Sequence, residues 1–206
     1  PKLNTTVKTV DACLNDYQVP EAANALQEFV DDMSNWYVRR SRSRFWAKGM
    51  EQDKINAYMT LYTALTTICK AAAPMIPFMT EDIYQNLVRK TDKDAPESIH
   101  LCDFPAVHEE MIDQELEDKM DEVLKVVVMG RAARNTAAMK NRQPIARMFV
   151  KGRVLPEFYQ EIIEEELNVK KVVFTDDVRE FTSYTFKPQL KTVGPKYGKL
   201  LGKIRQ

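Results

Sequence analysis

The chain reads as mainly α: an antiparallel helical bundle followed by a small α/β domain of β-α-β-β order. Three observations predict this. Through most of the first 140 or so positions, apolar residues recur at helical spacing in long stretches free of proline and glycine. Pro20, Gly49, Pro74 and Pro77 fall between those stretches, where the chain has to turn. After Pro144 the pattern changes to short β-branched and aromatic runs around one more helical stripe.

A first helix is expected over 5–17. Pro20 opens a second over 20–46, with Glu21 in its first turn to meet the helix dipole and Gly49 to stop it. The third spans 53–73, with Ile55, Tyr58, Met59, Tyr62, Leu65 and Cys69 on one face. Thr80 is expected to cap a fourth, with Glu81 and Asp82 early and Arg89 and Lys90 late. Short connections between these four make an antiparallel bundle over 1–91. A connector over 92–107 contains Ser98-Ile99-His100-Leu101 as a short strand. A long helix over 108–142 starts acidic and ends basic, which suits its dipole. Beyond it, 144–190 forms the small domain: a strand over 145–150, a helix over 155–167 with Phe158, Ile162, Ile163 and Leu167 as its stripe, and strands over 169–174 and 181–186. Positions 191–206 form a basic end segment.

The 206 residues carry no formal net charge, so bulk charge selects no partner. The distribution is more telling. Residues 37–49 hold Arg39, Arg40, Arg42, Arg44 and Lys48 and no acid. Residues 126–153 hold Arg131, Arg134, Lys140, Arg142, Arg147, Lys151 and Arg153 and no acid, and 187–206 repeat the pattern with Lys187, Lys191, Lys196, Lys199, Lys203 and Arg205. Such blocks suit basic faces for nucleic acid, or they neutralise the acidic segments within the fold. Cys13, Cys69 and Cys102 form no CxxC pair, and with only His100 and His108 there is no metal-ligand spacing. Free thiols in a reducing cytosol are expected. No apolar run approaches the roughly 18 residues of a membrane span. The start at Pro1 and the basic end both read as cut from something larger.

Residues 29–46 are the most informative stretch. Four arginines and five aromatics sit in one proline-free, glycine-free helix. Aromatic planes beside guanidinium groups hold unstacked RNA bases and backbone phosphates. Trp36 and Tyr37 share the register of Val30 and Met33, which assigns them to the core. Trp46 lies past that stripe and is the stacking candidate. Arg39 and Arg42 should point together with Asn35 and Trp46, and Arg40 with Arg44; one pair faces RNA while the other makes salt bridges in the bundle. Asn35 either reads a base edge through its amide or simply caps and solvates.

Phe29-Val30-Asp31-Asp32-Met33-Ser34-Asn35-Trp36-Tyr37-Val38-Arg39-Arg40, continued by Ser41-Arg42-Ser43-Arg44-Phe45-Trp46, resembles the C-terminal anticodon-binding region of isoleucyl-tRNA synthetases. Further elements come after it in order. Ala73-Pro74-Met75-Ile76-Pro77-Phe78-Met79-Thr80-Glu81 resembles the APFxPFxTE element of the class I enzymes for isoleucine, valine and leucine. Ser98-Ile99-His100-Leu101-Cys102-Asp103-Phe104-Pro105 is similar to SVHLxxxP, and Arg142-Gln143-Pro144-Ile145 to RQPL. Glu166-Leu167-Asn168-Val169-Lys170 and Lys187-Pro188 resemble elements of the small domain, and Gly194-Pro195-Lys196-Tyr197-Gly198-Lys199 a segment of the eukaryote-like branch.

The resemblance implies a tRNA-binding piece of a cytoplasmic, monomeric ligase that attaches isoleucine to its tRNA with ATP and magnesium. The HIGH-type and KMSKS-type signatures and the editing domain of that family are not in this sequence, nor is a glycine-rich phosphate turn, so the piece itself is expected to need no cofactor and to bind the anticodon stem-loop without catalysis. The expected RNA-facing set is Asn35, Arg39, Arg40, Arg42, Arg44, Trp46, Arg131, Arg134, Lys140 and Arg142. For Arg131, Arg134, Lys140 and Arg142 the competing reading is a helix end answering its own dipole. Two alternatives stay open for the chain: the same region of a valyl enzyme, and a helical protein-interaction module with its basic blocks turned inward. His100 and His108 lack a nucleophile arrangement, and the acids of 109–122 read as a helix face.

Overall fold

The structure, a computed structural model, describes residues 1–177 and 179. It divides into two compact units, the first ending at Asp118 and the second beginning at Lys119.

In the first unit, helix α1 (Lys2–Asn15) turns into α2 (Val19–Asp32), which carries Pro20 and Glu21 in its first turn. The expected single helix over 20–46 has two irregularities. Met33–Val38 form a π-helical turn, and the chain is offset again at the buried Ser41 before the short helix α3 (Arg42–Trp46). Gly49, at a left-handed φ of 78°, ends the run. Helix α4 (Gln52–Ala72) comes next.

The core joins Val10 of α1, Ala22, Leu26 and Phe29 of α2, and Ala64, Ile68, Ala71 and Ala72 of α4. The buried face of α4 is therefore its small-residue face. Tyr58 and Met59, expected inside, are exposed, as is Val30 of α2. Alanines let helix backbones approach closely, and neighbouring Leu26, Phe29 and Ile68 supply the volume that such a face lacks.

Helix α5 (Pro77–Tyr84) starts four residues earlier than expected, because Pro77 supplies the first-turn φ that a helix start needs. Thr80 is consequently not a cap. It is buried inside the helix, its hydroxyl donating to the Ile76 and Pro77 carbonyls at 3.0 and 3.1 Å. A π-helical turn, Gln85–Arg89, ends this segment. The connector is clamped back onto it. Glu81 accepts from Ser98 Oγ at 2.8 Å, from the Ile99 amide at 2.9 Å and from Gln85 Nε2 at 2.7 Å. Tyr84 donates to the Pro96 carbonyl at 2.9 Å, and Arg89 to the carbonyls of Ala95 and Lys93. Ser98 to Leu101 is thus not a strand. With Glu81 taking the Ile99 amide and Ser98 Oγ the His100 amide, Ile99–Leu101 closes into a 3₁₀ turn.

Helix α6 (Gln114–Thr136) is shorter at both ends than the expected 108–142, with a separate 3₁₀ turn at Glu109–Met111. Thr5 Oγ1 donates to Glu117 at 2.8 Å, tying its first turn to α1. In the second unit, strand β1 (Met148–Val150), helix α7 (Glu157–Leu167) and strand β2 (Val172–Phe174) form a β-α-β unit. The strands are parallel, Met148 opposite Val172, with a further bridge from Ile145 to Val169. Tyr159, Ile162, Ile163 and Leu167 line the buried face of α7, whereas Phe158, expected there, is 63% exposed. Gly130 of α6 makes room for Leu167: a Cβ at that position would collide with the Leu167 side chain and meet Met148 Cε at 3.0 Å. The expected strand over 181–186 and the basic segment 191–206 lie outside the described residues.

Candidate nucleic-acid interface

The π-helical turn buries none of its residues and carries Asn35 and Trp36 at the surface of the first unit. A π turn inserts a residue into the helical repeat and re-aims the side chains after it. Three and four residues beyond Trp36, Arg39 and Arg40 both lie over its half-buried ring, their Cζ atoms 5.8 and 5.5 Å from its centroid. Arg39 Nε also donates to the Asn35 carbonyl at 2.9 Å. Past the offset at Ser41, Arg42 sits 5.1 Å from the centroid of Trp46, which is 75% exposed. The surface thus carries two aromatic plates, Trp36 with two guanidinium groups and Trp46 with one, each held by ring–cation attraction of about 0.5–1 kcal/mol.

Arg44 is used differently. Its Nε and Nη2 reach both carboxylate oxygens of Asp53 at 2.8 and 2.7 Å, and Nη2 also reaches the Asp53 carbonyl at 3.1 Å. That pairing holds the Asp53 carboxyl below its ordinary pKa. Tyr37 donates to the Ala57 carbonyl at 3.0 Å and meets Phe45 edge-on at 6.4 Å, while Phe45 packs against Tyr58 at 5.0 Å. Arg44, Tyr37 and Phe45 therefore fasten this segment to α4, and Trp46 and Arg42 face out. The expected pairing of Arg39 with Arg42 and of Arg40 with Arg44 does not occur, because both the π turn and the break at Ser41 shift the helical register. Of the four arginines, Arg44 is the one that takes the carboxylate of Asp53.

The basic block of the second unit has another character. Arg131 Nη2 lies 2.7 Å from the carboxylate of Glu166, whose side chain is almost fully buried. Arg134 is 2% exposed, and its Nη2 donates to the carbonyls of Lys140 and Asn141 at 2.9 and 3.1 Å and to that of Gln143. Arg134 therefore faces inward, not toward a surface ligand. Lys140 and Arg142 are exposed. Reasoning from sequence gave no contact role to Asp53, Ala57, Glu166 or Asn168, although Glu166 and Asn168 stand in a stretch that carries the resemblance. All four act through contacts distant in sequence, which no local pattern announces.

Among the described residues no group of three or more His, Cys, Asp or Glu side chains could hold a metal ion. Among them, too, no helix is long and apolar enough to cross a membrane. Residues 1–150 match the model of the family described as the anticodon-binding domain of tRNA ligase. The chain is similar to an isoleucine--tRNA ligase of Clostridium novyi, 52% identical over 205 residues, which cover all of this chain and 20% of that protein. A Clostridium tetani isoleucine--tRNA ligase is 49% identical over the same extent of each. An isoleucine--tRNA ligase 2 of Bacillus cereus is 43% identical over 202 residues, 96% of this chain and 19% of its own length. The chain thus spans about a fifth of the length of these relatives.

Proposed function

We propose that this chain, which belongs to the anticodon-binding domain family of tRNA ligases, holds the anticodon stem-loop of isoleucine tRNA through the surface of residues 35–46. The observation that carries the reading is the pair of plates, Trp36 with Arg39 and Arg40, and Trp46 with Arg42. Isoleucine is the favoured specificity because isoleucine--tRNA ligases match the chain over its full length at 49–52% identity.

In the proposed complex, phosphate contacts position the RNA and base contacts specify it. Arg39, Arg40 and Arg42 meet phosphates, Trp46 stacks a splayed base and Asn35 reads a base edge. Arg44 holds the segment in place from Asp53. Lys140 and Arg142 add phosphate contacts from the second unit. Arg131 and Arg134 make no direct RNA contact, since Glu166 and the turn carbonyls already engage them. The RNA-binding domain is proposed as 1–143, with 144–190 the small domain and 191–206 a basic end.

The complete protein is proposed to be a cytoplasmic, monomeric isoleucine--tRNA ligase that uses ATP and magnesium. Among the described residues no His, Cys, Asp or Glu cluster fits a metal ion, and no step through either group is derived for this chain.

Binding of the chain to isoleucine-tRNA stem-loop RNA and to a copy with a changed anticodon, at two salt concentrations, tests the reading. Tighter, steeply salt-sensitive binding to the correct anticodon is expected. Equal binding to both RNAs would place specificity elsewhere. No binding at low salt would leave a structural module.

A further inference from the structure

We propose that the turn over 140–143 is a pre-ordered phosphate-binding loop, and that Arg134 and Asn168 are the positioning residues that build it. The inference rests on the RNA-binding reading and extends it to a site built from inside the second unit.

The carbonyl oxygens of four consecutive residues are taken up from within. Arg134 Nη2 holds those of Lys140, Asn141 and Gln143. Asn168 Nδ2 holds that of Arg142 at 2.9 Å and also lies 3.5 Å from that of Asn141. The Gln143 amide closes the turn on the Lys140 carbonyl at 3.0 Å. All four side chains of the turn are exposed.

This arrangement has two electrostatic consequences. First, the partial negative charge of four carbonyls is drawn away from the outer surface, where it would repel a phosphate. Second, the buried charge of Arg134 lies directly under the turn, and among the described residues it has no carboxylate partner and its Nε and Nη1 have no hydrogen-bond partner. Buried charges are ordinarily paired, so a lone guanidinium calls for a use. Here it supplies fixed positive potential beneath Lys140 and Arg142, in a stretch, 126–153, that contains no acid. The partner that fits such a surface is a nucleic-acid phosphate. Because the turn is already ordered, binding does not have to order it.

Asn168 gives a clean test. It occupies the left-handed region, φ 50° and ψ 51°, at the end of α7. Asn168→Gly retains a backbone that favours glycine and deletes only the side-chain donor. Binding of an isoleucine-tRNA transcript would be measured against salt for the unsubstituted chain, Arg142→Ala, Asn168→Gly, the double variant and Arg42→Ala.

Arg142→Ala is expected to lower the salt slope by about one. Asn168→Gly is expected to weaken binding roughly 2–5-fold while leaving the melting temperature in place, a loss of pre-ordering rather than of contacts. The double variant should bind within about 2-fold of Arg142→Ala alone, since the two act through one contact. Asn168→Gly binding like the unsubstituted chain would overturn the positioning role. Arg142→Ala without effect, while Arg42→Ala weakens binding, would overturn the loop and leave the first-unit surface standing. No binding by the unsubstituted chain at low salt would sink the RNA reading itself, and this inference with it.

Discussion

Arg42 of the first unit and Arg134 of the second are the same side chain in similarly acid-free sequence, yet the fold uses them in opposite ways. In the first unit, Arg39, Arg40 and Arg42 lie on the faces of Trp36 and Trp46 at the surface. In the second, Arg131 pairs with a buried carboxylate and Arg134 gathers backbone carbonyls. Between Arg42 and Arg134, what differs is the acceptor each finds. An aromatic face engages the plane of a guanidinium weakly and does not itself occupy the N–H fork. A carboxylate or a set of carbonyls uses the fork up. A basic run in a sequence therefore predicts a binding surface only where the neighbouring acceptors are weak.

The comparison can be broken most forcefully at Arg134. Arg134→Met leaves three turn carbonyls without their donor and should destabilise the second unit by about 2–4 kcal/mol, read from urea unfolding. A change under about 0.5 kcal/mol would mean that the guanidinium is not organising the turn. Gly130→Ala, which drives a methyl into the buried Leu167, should lower stability by about 1–3 kcal/mol, whereas Gly152, with open space around its Cα, should accept alanine far better.

In the first unit, Glu81→Gln should lower stability by about 1–2 kcal/mol at neutral pH, because the Ser98 and Ile99 donors lose a charged acceptor. Its pH dependence has a definite sign. Burial pushes the Glu81 carboxyl up, but its hydrogen bonds from Gln85, Ser98 and Ile99 outweigh that and leave it below the ordinary 4.5. A depressed carboxylate stabilises the fold fully above 4.5 and loses that contribution as pH falls through its folded value. The loss should be present in the parent chain and missing from Glu81→Gln; identical acid-unfolding curves would refute the clamp. The smallest effect on stability belongs to the surface arginines. Arg39→Ala or Arg42→Ala should change unfolding free energy by no more than about 0.5 kcal/mol, yet each should lower the salt slope of RNA binding by about one.

The helices were legible because their apolar period survives along the chain and Pro20, Gly49 and Pro77 punctuate it. Their irregularities were not. The π turn at Met33–Val38 contains no glycine or proline to announce it, and its effect on the register undid the pairing expected for Arg39 to Arg44. The buried face of α4 was missed because large apolar residues attract the eye, while close helix packing selected Ala64 and Ala71 and left Tyr58 and Met59 outside. The strand expected at Ser98 to Leu101 failed for a tertiary reason, the carboxylate of Glu81 seventeen or eighteen positions away. Within the candidate site, the closeness of Trp36 to Arg39 and Arg40 comes from helical spacing alone. The pairing of Arg44 with Asp53, and the inward turn of Arg134, depend on acceptors that only the folded chain brings near.

The central claim is that Trp46 is a base-stacking plate, and the chain's composition makes it directly measurable. There are two tryptophans, Trp36 and Trp46, so Trp36→Phe keeps an aromatic face under Arg39 and Arg40 and leaves Trp46 as the sole indole emitter. Titrating this variant with the isoleucine-tRNA anticodon stem-loop should quench Trp46 emission in step with binding, and less with a changed anticodon. Binding that saturates while Trp46 emission stays constant would contradict the account.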